Sequence, residues 1–192
     1  MRRVLYIAVP IVLVAVVVIG LTQAGGGGNL GDGTDFDLPA AKKELATAPA
    51  PLNGLYAQAN TLIGGGESAF DQRIAELKGT PVIVNKWASW CGPCQAEFPV
   101  FQEAARTHGK EIAFLGLNAH DSDTAAKKFL DTRPLPFPSY TDPKDEIARK
   151  QEIAVGFPMT QFIGRDGKTA YIHTGPYTSE QQLTEDIDRY FK

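Results

Sequence analysis

Cysteine is nearly absent from this chain: its 192 residues hold two, Cys91 and Cys94. So few cannot staple a small scaffold together, which takes several crosslinks. Nor can they close a four-cysteine zinc site. Histidine is scarce as well. His108, His120 and His173 are scattered at no ligand spacing, so they do not complete a metal centre around the cysteine pair, and no metal is expected. Each histidine reads as solvent-facing, with His108 at a helix end where it complements the helix dipole. An excess of positive charge is also missing. Nineteen Lys and Arg against 22 Asp and Glu leave a net charge of −3. With no basic stripe, no nucleic-acid partner is expected.

What is present begins with Arg2 and Arg3, followed by an uninterrupted apolar run from Val4 to Leu21 in which Pro10 is the one irregularity. At helical rise the run covers roughly 27 Å, close to a bilayer core. The apolar core of a cleaved signal is shorter, about 7–15 residues. The run therefore reads as an N-terminal signal anchor and single transmembrane helix over residues 1–24, with cleavage near Thr22-Gln23-Ala24 as the alternative. No cysteine follows it, which excludes a lipid-modified cysteine. The two arginines place the amino end in the cytoplasm and the rest of the chain on the extracytoplasmic side of the cell membrane. Residues 25–66, rich in Gly, Ala and Pro, read as a linker, and residues 67–192 as the folded domain.

That domain alternates strand and helix. Ala69 to Leu77 reads as a helix, with Gly79 just past its end. Val82 to Trp87 reads as a strand that begins with the β-branched run Val82-Ile83-Val84, and Ile112 to Leu117 is apolar on both faces, as a central parallel strand is. Pro93 to His108 reads as a helix, and a second starts at Asp121 or Ser122. Asp142 is expected to cap the next, with Pro143 opening it and Gly156 closing it. Met159–Ile163 and Thr169–Thr174 are strands joined through Asp166-Gly167, a hairpin signal. A last helix starts at Thr178 or Ser179 and sets Leu183, Ile187 and Phe191 on one face. The expected fold is α/β, a mixed sheet with helices on both faces.

Both cysteines lie where a strand ends and a helix begins, in Trp90-Cys91-Gly92-Pro93-Cys94. Cysteines three apart on a first helical turn can bridge without moving the backbone. The free N–H groups and dipole of the helix start favour a thiolate at the first of them. Pro93 has no N–H and fits that turn. Cys91 is thus the candidate nucleophile and Cys94 the resolving thiol, in a redox-active disulfide that needs no cofactor. A purely structural bridge would close a tiny loop and stabilise the fold little.

These residues resemble the thioredoxin active site, and the chain is identified as a member of the thioredoxin superfamily. Its closer likeness is to the membrane-anchored, extracytoplasmic TlpA/ResA/DsbE-like branch. Asn85-Lys86-Trp87-Ala88-Ser89-Trp90-Cys91, Gln95-Ala96-Glu97-Phe98-Pro99 and Gly164-Arg165-Asp166-Gly167 resemble motifs of that branch. The resemblance implies a thioredoxin-like sheet, a kink proline at Pro99 and a cis-proline at Pro158 facing the sulfurs. Trp90, Gly92, Pro93, Phe157 and Pro158 then shape the active site and bind substrate, while Trp87 belongs to the core.

Three positions depart from the family. Asn85 stands where thioredoxin has a buried aspartate that moves a proton, so Glu97 or water must serve instead; Glu97 otherwise reads as a solvated helix carboxylate. Lys86 replaces an aromatic residue inside the sheet and must be paired or snorkel. Met159 follows Pro158 where threonine is usual.

By resemblance, the function is thiol–disulfide exchange with protein substrates, with a lean towards reduction in cytochrome c maturation. The partners would then be apocytochrome c and a membrane electron donor of the DsbD/CcdA type. Oxidation or isomerisation of secreted proteins is the alternative. A copper(I) chaperone using Met159 and a thiol peroxidase are lesser rivals, the latter disfavoured by Ala88 three residues before Cys91.

Overall fold

In the computed structural model, which describes residues 36–192, the elements run α1 (Leu38–Leu45), α2 (Leu52–Tyr56), β1 (Leu62–Ile63), α3 (Gly66–Glu76), β2 (Val82–Trp87), α4 (Gly92–His108), β3 (Ala113–Ala119), α5 (Asp123–Thr132), β4 (Ser139–Asp142), α6 (Glu146–Lys150), β5 (Met159–Ile163), β6 (Thr169–Thr174) and α7 (Glu180–Phe191). The strands form one six-stranded sheet in the order β1-β4-β3-β2-β5-β6. β1 to β4 pair in parallel, β5 pairs antiparallel with β2, and β6 pairs antiparallel with β5. This is the thioredoxin-like mixed sheet.

The topology follows from the local sequence. β2 and β3 are buried along their whole length in the sheet centre, which suits Val82-Ile83-Val84 and the apolar residues of β3, while Asn85 and Lys86 of β2 find buried partners. Parallel neighbours need helical crossovers, supplied by α4 and α5. β5 and β6 need only a tight turn, where Gly167 takes φ 80°. Because β2, β3 and β4 are parallel, the loops that follow them leave the same edge of the sheet. The antiparallel β5 begins at that edge. The segments carrying Cys91, His120, Asp145 and Pro158 therefore gather there.

Alternation along β2 divides its side chains between the two faces. Asn85 and Trp87 face α4: Asn85 bonds Glu97, and the Trp87 ring meets Phe98 edge-on with centroids 5.2 Å apart. Lys86 points to the other face, where it meets Asp145 at the start of α6. α7 packs on α4, and α3 packs on α6 and β4.

Residues 36–66 correct the linker expectation. Ala and Pro content hid two short helices and the edge strand β1, which pairs with β4. Leu45, Leu52, Leu55 and Tyr56 are buried in the main core. α1 is capped by Asp37, whose carboxylate accepts from the Ala40 N–H. A second correction concerns α6, which opens at Glu146 rather than Pro143 and ends at Lys150 rather than Gly156. Its N-cap is Asp145, not Asp142, although the Asp142 carboxylate, at the end of β4, accepts the N–H groups of Ile147 and Ala148 at 3.2 and 2.8 Å. The expected anchor at residues 1–24 and the first part of the expected linker lie outside the described residues. Among the described residues no helix is long and apolar enough to cross a membrane.

The segment before β1 is tied in by Tyr56. Its buried hydroxyl donates to the Ile112 carbonyl at 2.6 Å and accepts from the Phe114 N–H at 3.3 Å. Tyr56→Phe strands both backbone groups. It should lower stability by about 1–3 kcal/mol, read as a lower urea midpoint at unchanged slope. A midpoint equal to wild type would return this segment to the status of a linker.

Candidate active site

The chain leaves β2 at Trp87, turns through Ala88 to Trp90, and enters α4 with Cys91 as its N-cap in an extended conformation. The turn is fastened from three sides. The Asp121 carboxylate accepts the Ser89 N–H at 2.6 Å and the Ser89 hydroxyl at 3.0 Å. Gln95 donates to the Ser89 carbonyl at 2.6 Å, and the Trp90 indole N–H donates to the His120 carbonyl at 2.8 Å. Asp121, Gln95 and His120 were not among the sequence candidates. Their contacts join residues up to 32 positions apart, which no local pattern reports.

Cys91 and Cys94 form a disulfide with their Cα atoms 5.3 Å apart. The Cys94 N–H donates to Cys91 Sγ at 3.2 Å. The same N–H would stabilise a Cys91 thiolate, as an orphan donor at a helix start does. Cys91 keeps 4% of its surface exposed and Cys94 none, so a second sulfur can approach only Cys91. Gly92 and Pro93 fill the first turn between them, and Pro99 lies within α4.

In the loop before β5 the Phe157-Pro158 peptide is cis. The Pro158 carbonyl accepts the Gly175 N–H at 3.1 Å. The Phe157 ring packs on Trp90, centroids 5.1 Å apart. Trp90 is 59% exposed. An exposed indole thus stands at the rim of a disulfide whose inner sulfur is sealed. Trp87 lies in the core, as expected from sequence, and Met159 is buried at the start of β5.

Beneath the disulfide lies a carboxyl group. Glu97, one helical turn after Cys94, is fully buried. It is not the solvated helix carboxylate that remained possible from sequence. Oε1 accepts from Asn85 Nδ2 at 2.8 Å, and Oε2 accepts from the Tyr177 N–H at 3.0 Å. Burial pushes its pKa up to about 8, against the two hydrogen bonds that favour the charged form. Asn85 Nδ2 also lies 3.4 Å from Thr160 Oγ1, and Asn85 Oδ1 has no partner. The Tyr177 contact comes from the loop before α7 and had no sequence signal.

Lys86 does not snorkel. Its side chain is wholly buried and lies 3.2 Å from Asp145 Oδ1. His120 is solvent-exposed as expected, and it also pairs with Asp145 at 2.6 Å. His173 differs from expectation: it is half-buried and stacks on Tyr177 with centroids 4.0 Å apart. Among the described residues no group of three or more His, Cys, Asp or Glu is placed to hold a metal ion.

The family model described as Redoxin matches residues 53–187. The chain belongs to that family. It is a thioredoxin-like thiol–disulfide oxidoreductase with Cys91 and Cys94 as its cysteine pair. Among its relatives is the thiol-disulfide oxidoreductase ResA of Geobacillus kaustophilus, 28% identical over 64% of this chain and 67% of the relative. ResA of Bacillus thuringiensis is 31% identical over 62% of this chain and 66% of the relative. The matches thus span about two thirds of these relatives' own length. Among solved structures, StoA from Bacillus subtilis superposes with a TM-score of 0.51 at 27% identity, covering 56% of this chain and 82% of StoA. The Redoxin match starts at residue 53, inside the stretch read from sequence as linker, in keeping with the ordered α2 and β1.

The raised pKa of Glu97 fixes a sign for stability. The fold prefers the neutral acid, so folded chains hold more protons than unfolded ones between the usual glutamate range and pH 8. The stabilisation is complete at acid pH and is lost as pH rises through that window. Oxidised wild type should lose stability from pH 5 to about pH 8 relative to Glu97→Gln, measured by urea unfolding at each pH. Parallel curves for the two proteins would show that Glu97 does not titrate there.

Proposed function

We propose that this oxidoreductase acts as a membrane-anchored reductant of protein disulfides on the extracytoplasmic side of the membrane, with Glu97 handling the proton of the resolving thiol. The observation that carries the reading is a wholly buried carboxyl one helical turn beyond the sealed cysteine. The exchange needs a group there. Cys91 thiolate attacks a substrate disulfide, a new S–S bond forms, and one substrate sulfur leaves as a thiolate. Cys94 must then lose a proton before its sulfur can attack Cys91 and release the second substrate sulfur. Water cannot easily reach Cys94, and the ionised fraction of Glu97, one helical turn on, takes that proton. The substrate is reduced by two electrons and the Cys91–Cys94 bond is remade.

Asn85 suits both charge states of Glu97. As a carboxylate, Glu97 accepts the Asn85 N–H. Once protonated, it can donate to the amide oxygen, which now lacks a partner, if the amide turns over. Asn85 thus follows the proton without carrying it. Trp90, Phe157 and Pro158 form the rim on which an extended substrate segment lies. Gly92 and Pro93 keep the first turn open to it.

The reductant direction rests on the Cys-Gly-Pro-Cys motif, which resembles that of thioredoxin. In cytochrome c maturation the substrate would be the cysteine pair of apocytochrome c, and a membrane donor of the DsbD/CcdA type would return the electrons. The arginine-flanked apolar run at residues 4–21 supports the anchor and the extracytoplasmic placement.

Cys94→Ser should stall the mixed disulfide on Cys91, and non-reducing capture from membranes should yield apocytochrome c. A catch of many secreted proteins with no apocytochrome would replace this reading by oxidative folding. Glu97→Gln should slow release from the mixed disulfide by roughly a hundredfold near neutrality, with the loss shrinking at high pH as Cys94 ionises unaided. An equal loss at every pH would remove Glu97 from the proton step.

A further inference from the structure

A lysine with no exposed side-chain surface occupies the central strand β2, between β3 and β5. Its surroundings are specific. Lys86 Nζ lies 3.2 Å from Asp145 Oδ1, donates to the Ala154 carbonyl at 3.4 Å, and sits 4.0 Å from the centroid of the Phe157 ring. The contact with Asp145 is ionic rather than a directed hydrogen bond, since Oδ1 receives none. Packing alone does not call for this arrangement. A buried ion pair can often be replaced by apolar residues at no loss of stability.

The contacts close a ring around the active-site rim. Phe157 packs on Trp90 at 5.1 Å and on His120 at 6.3 Å. Trp90 donates its indole N–H to the His120 carbonyl. The His120 imidazole meets the second oxygen of Asp145 at 2.6 Å, and the first faces Lys86. His120 and Asp145 also share a backbone peculiarity: both hold φ near +50°, at 51° and 56°. Residues with a Cβ rarely adopt that region, and when they do the surroundings hold them there. Both are therefore set by the contacts they make with each other and with their neighbours.

We propose that Lys86 is a positioning residue for substrate docking. Its ammonium draws the face of Phe157 inward and, through Asp145 and His120, fixes the acceptor that orients Trp90. The loop before Cys91 and the loop of Pro158 are thereby held as the two walls of one cleft. Lys86 does not touch the sulfurs. It matters for a polypeptide that must lie along both walls and hardly at all for a disulfide too small to span them.

The proposal rests on the thiol–disulfide activity, and the test reads that activity separately. The reduced full chain is assayed against insulin and against hydroxyethyl disulfide, and the ratio of the two second-order rate constants is compared. In Lys86→Met the insulin-to-small-disulfide ratio should fall about tenfold, the scale of a desolvated cation–aromatic contact. Lys86→Arg, which keeps the charge and stacks on rings, should recover most of it. Should Lys86→Met leave Asp145 too poorly paired to fold, the neutral Lys86→Met/Asp145→Asn pair should show the same fall. A ratio within about twofold of wild type in every folded variant, a loss shared equally by both substrates, or no recovery by arginine would overturn the proposal.

Discussion

The Cys94 N–H points at Cys91 Sγ from 3.2 Å because the backbone is still extended at Cys91 and helical at Gly92. That change of conformation at a single residue governs the chemistry. It gives the outer sulfur a donor that a thiolate would use, and it carries the inner sulfur out of solvent. It also directs the next turn of α4 downward, so that Glu97 arrives under the pair with no exposure at all. The sheet makes the change possible by ending β2 at an edge where three other loops converge.

β2 also separates two ionisable systems that would disturb each other if they met. On one face Asn85 serves the Glu97 carboxyl, which burial holds near a pKa of 8. On the other, Lys86 is balanced by Asp145. Neighbouring residues of one strand thus supply the proton side and the docking side of the same active site. The pleat keeps their side chains on opposite faces of the sheet. In a central strand both groups are dry, and each depends on a partner brought from elsewhere in the fold.

How much of this was legible before the fold was known depended on the reach of each contact. The cysteine pair, the helix after it, β5, β6 and Pro158 are written in local spacing and in a motif, and the chain forms them where expected. Glu97 was visible as a candidate, but its burial was not, because the Tyr177 N–H that satisfies it lies 80 residues away. Asp145 could not be matched to Lys86 for the same reason. Residues 36–66 were misread because Ala, Gly and Pro suggest a linker, whereas Leu45, Leu55 and Tyr56 are held by core contacts rather than by periodicity. The two-residue β1 is too short to show any period at all.

Pro99 leaves a gap in the hydrogen bonds of α4. Its ring nitrogen has no hydrogen, so the helical bond it would have made to the carbonyl four residues earlier is missing. That carbonyl belongs to Gln95, and Arg133, at the end of α5, reaches it at 3.4 Å. The gap in the α4 ladder has become a mooring point. It tethers the turn that bears the cysteines to a different crossover of the sheet, so the segment bearing the nucleophile is braced through a carbonyl that the helix itself leaves free.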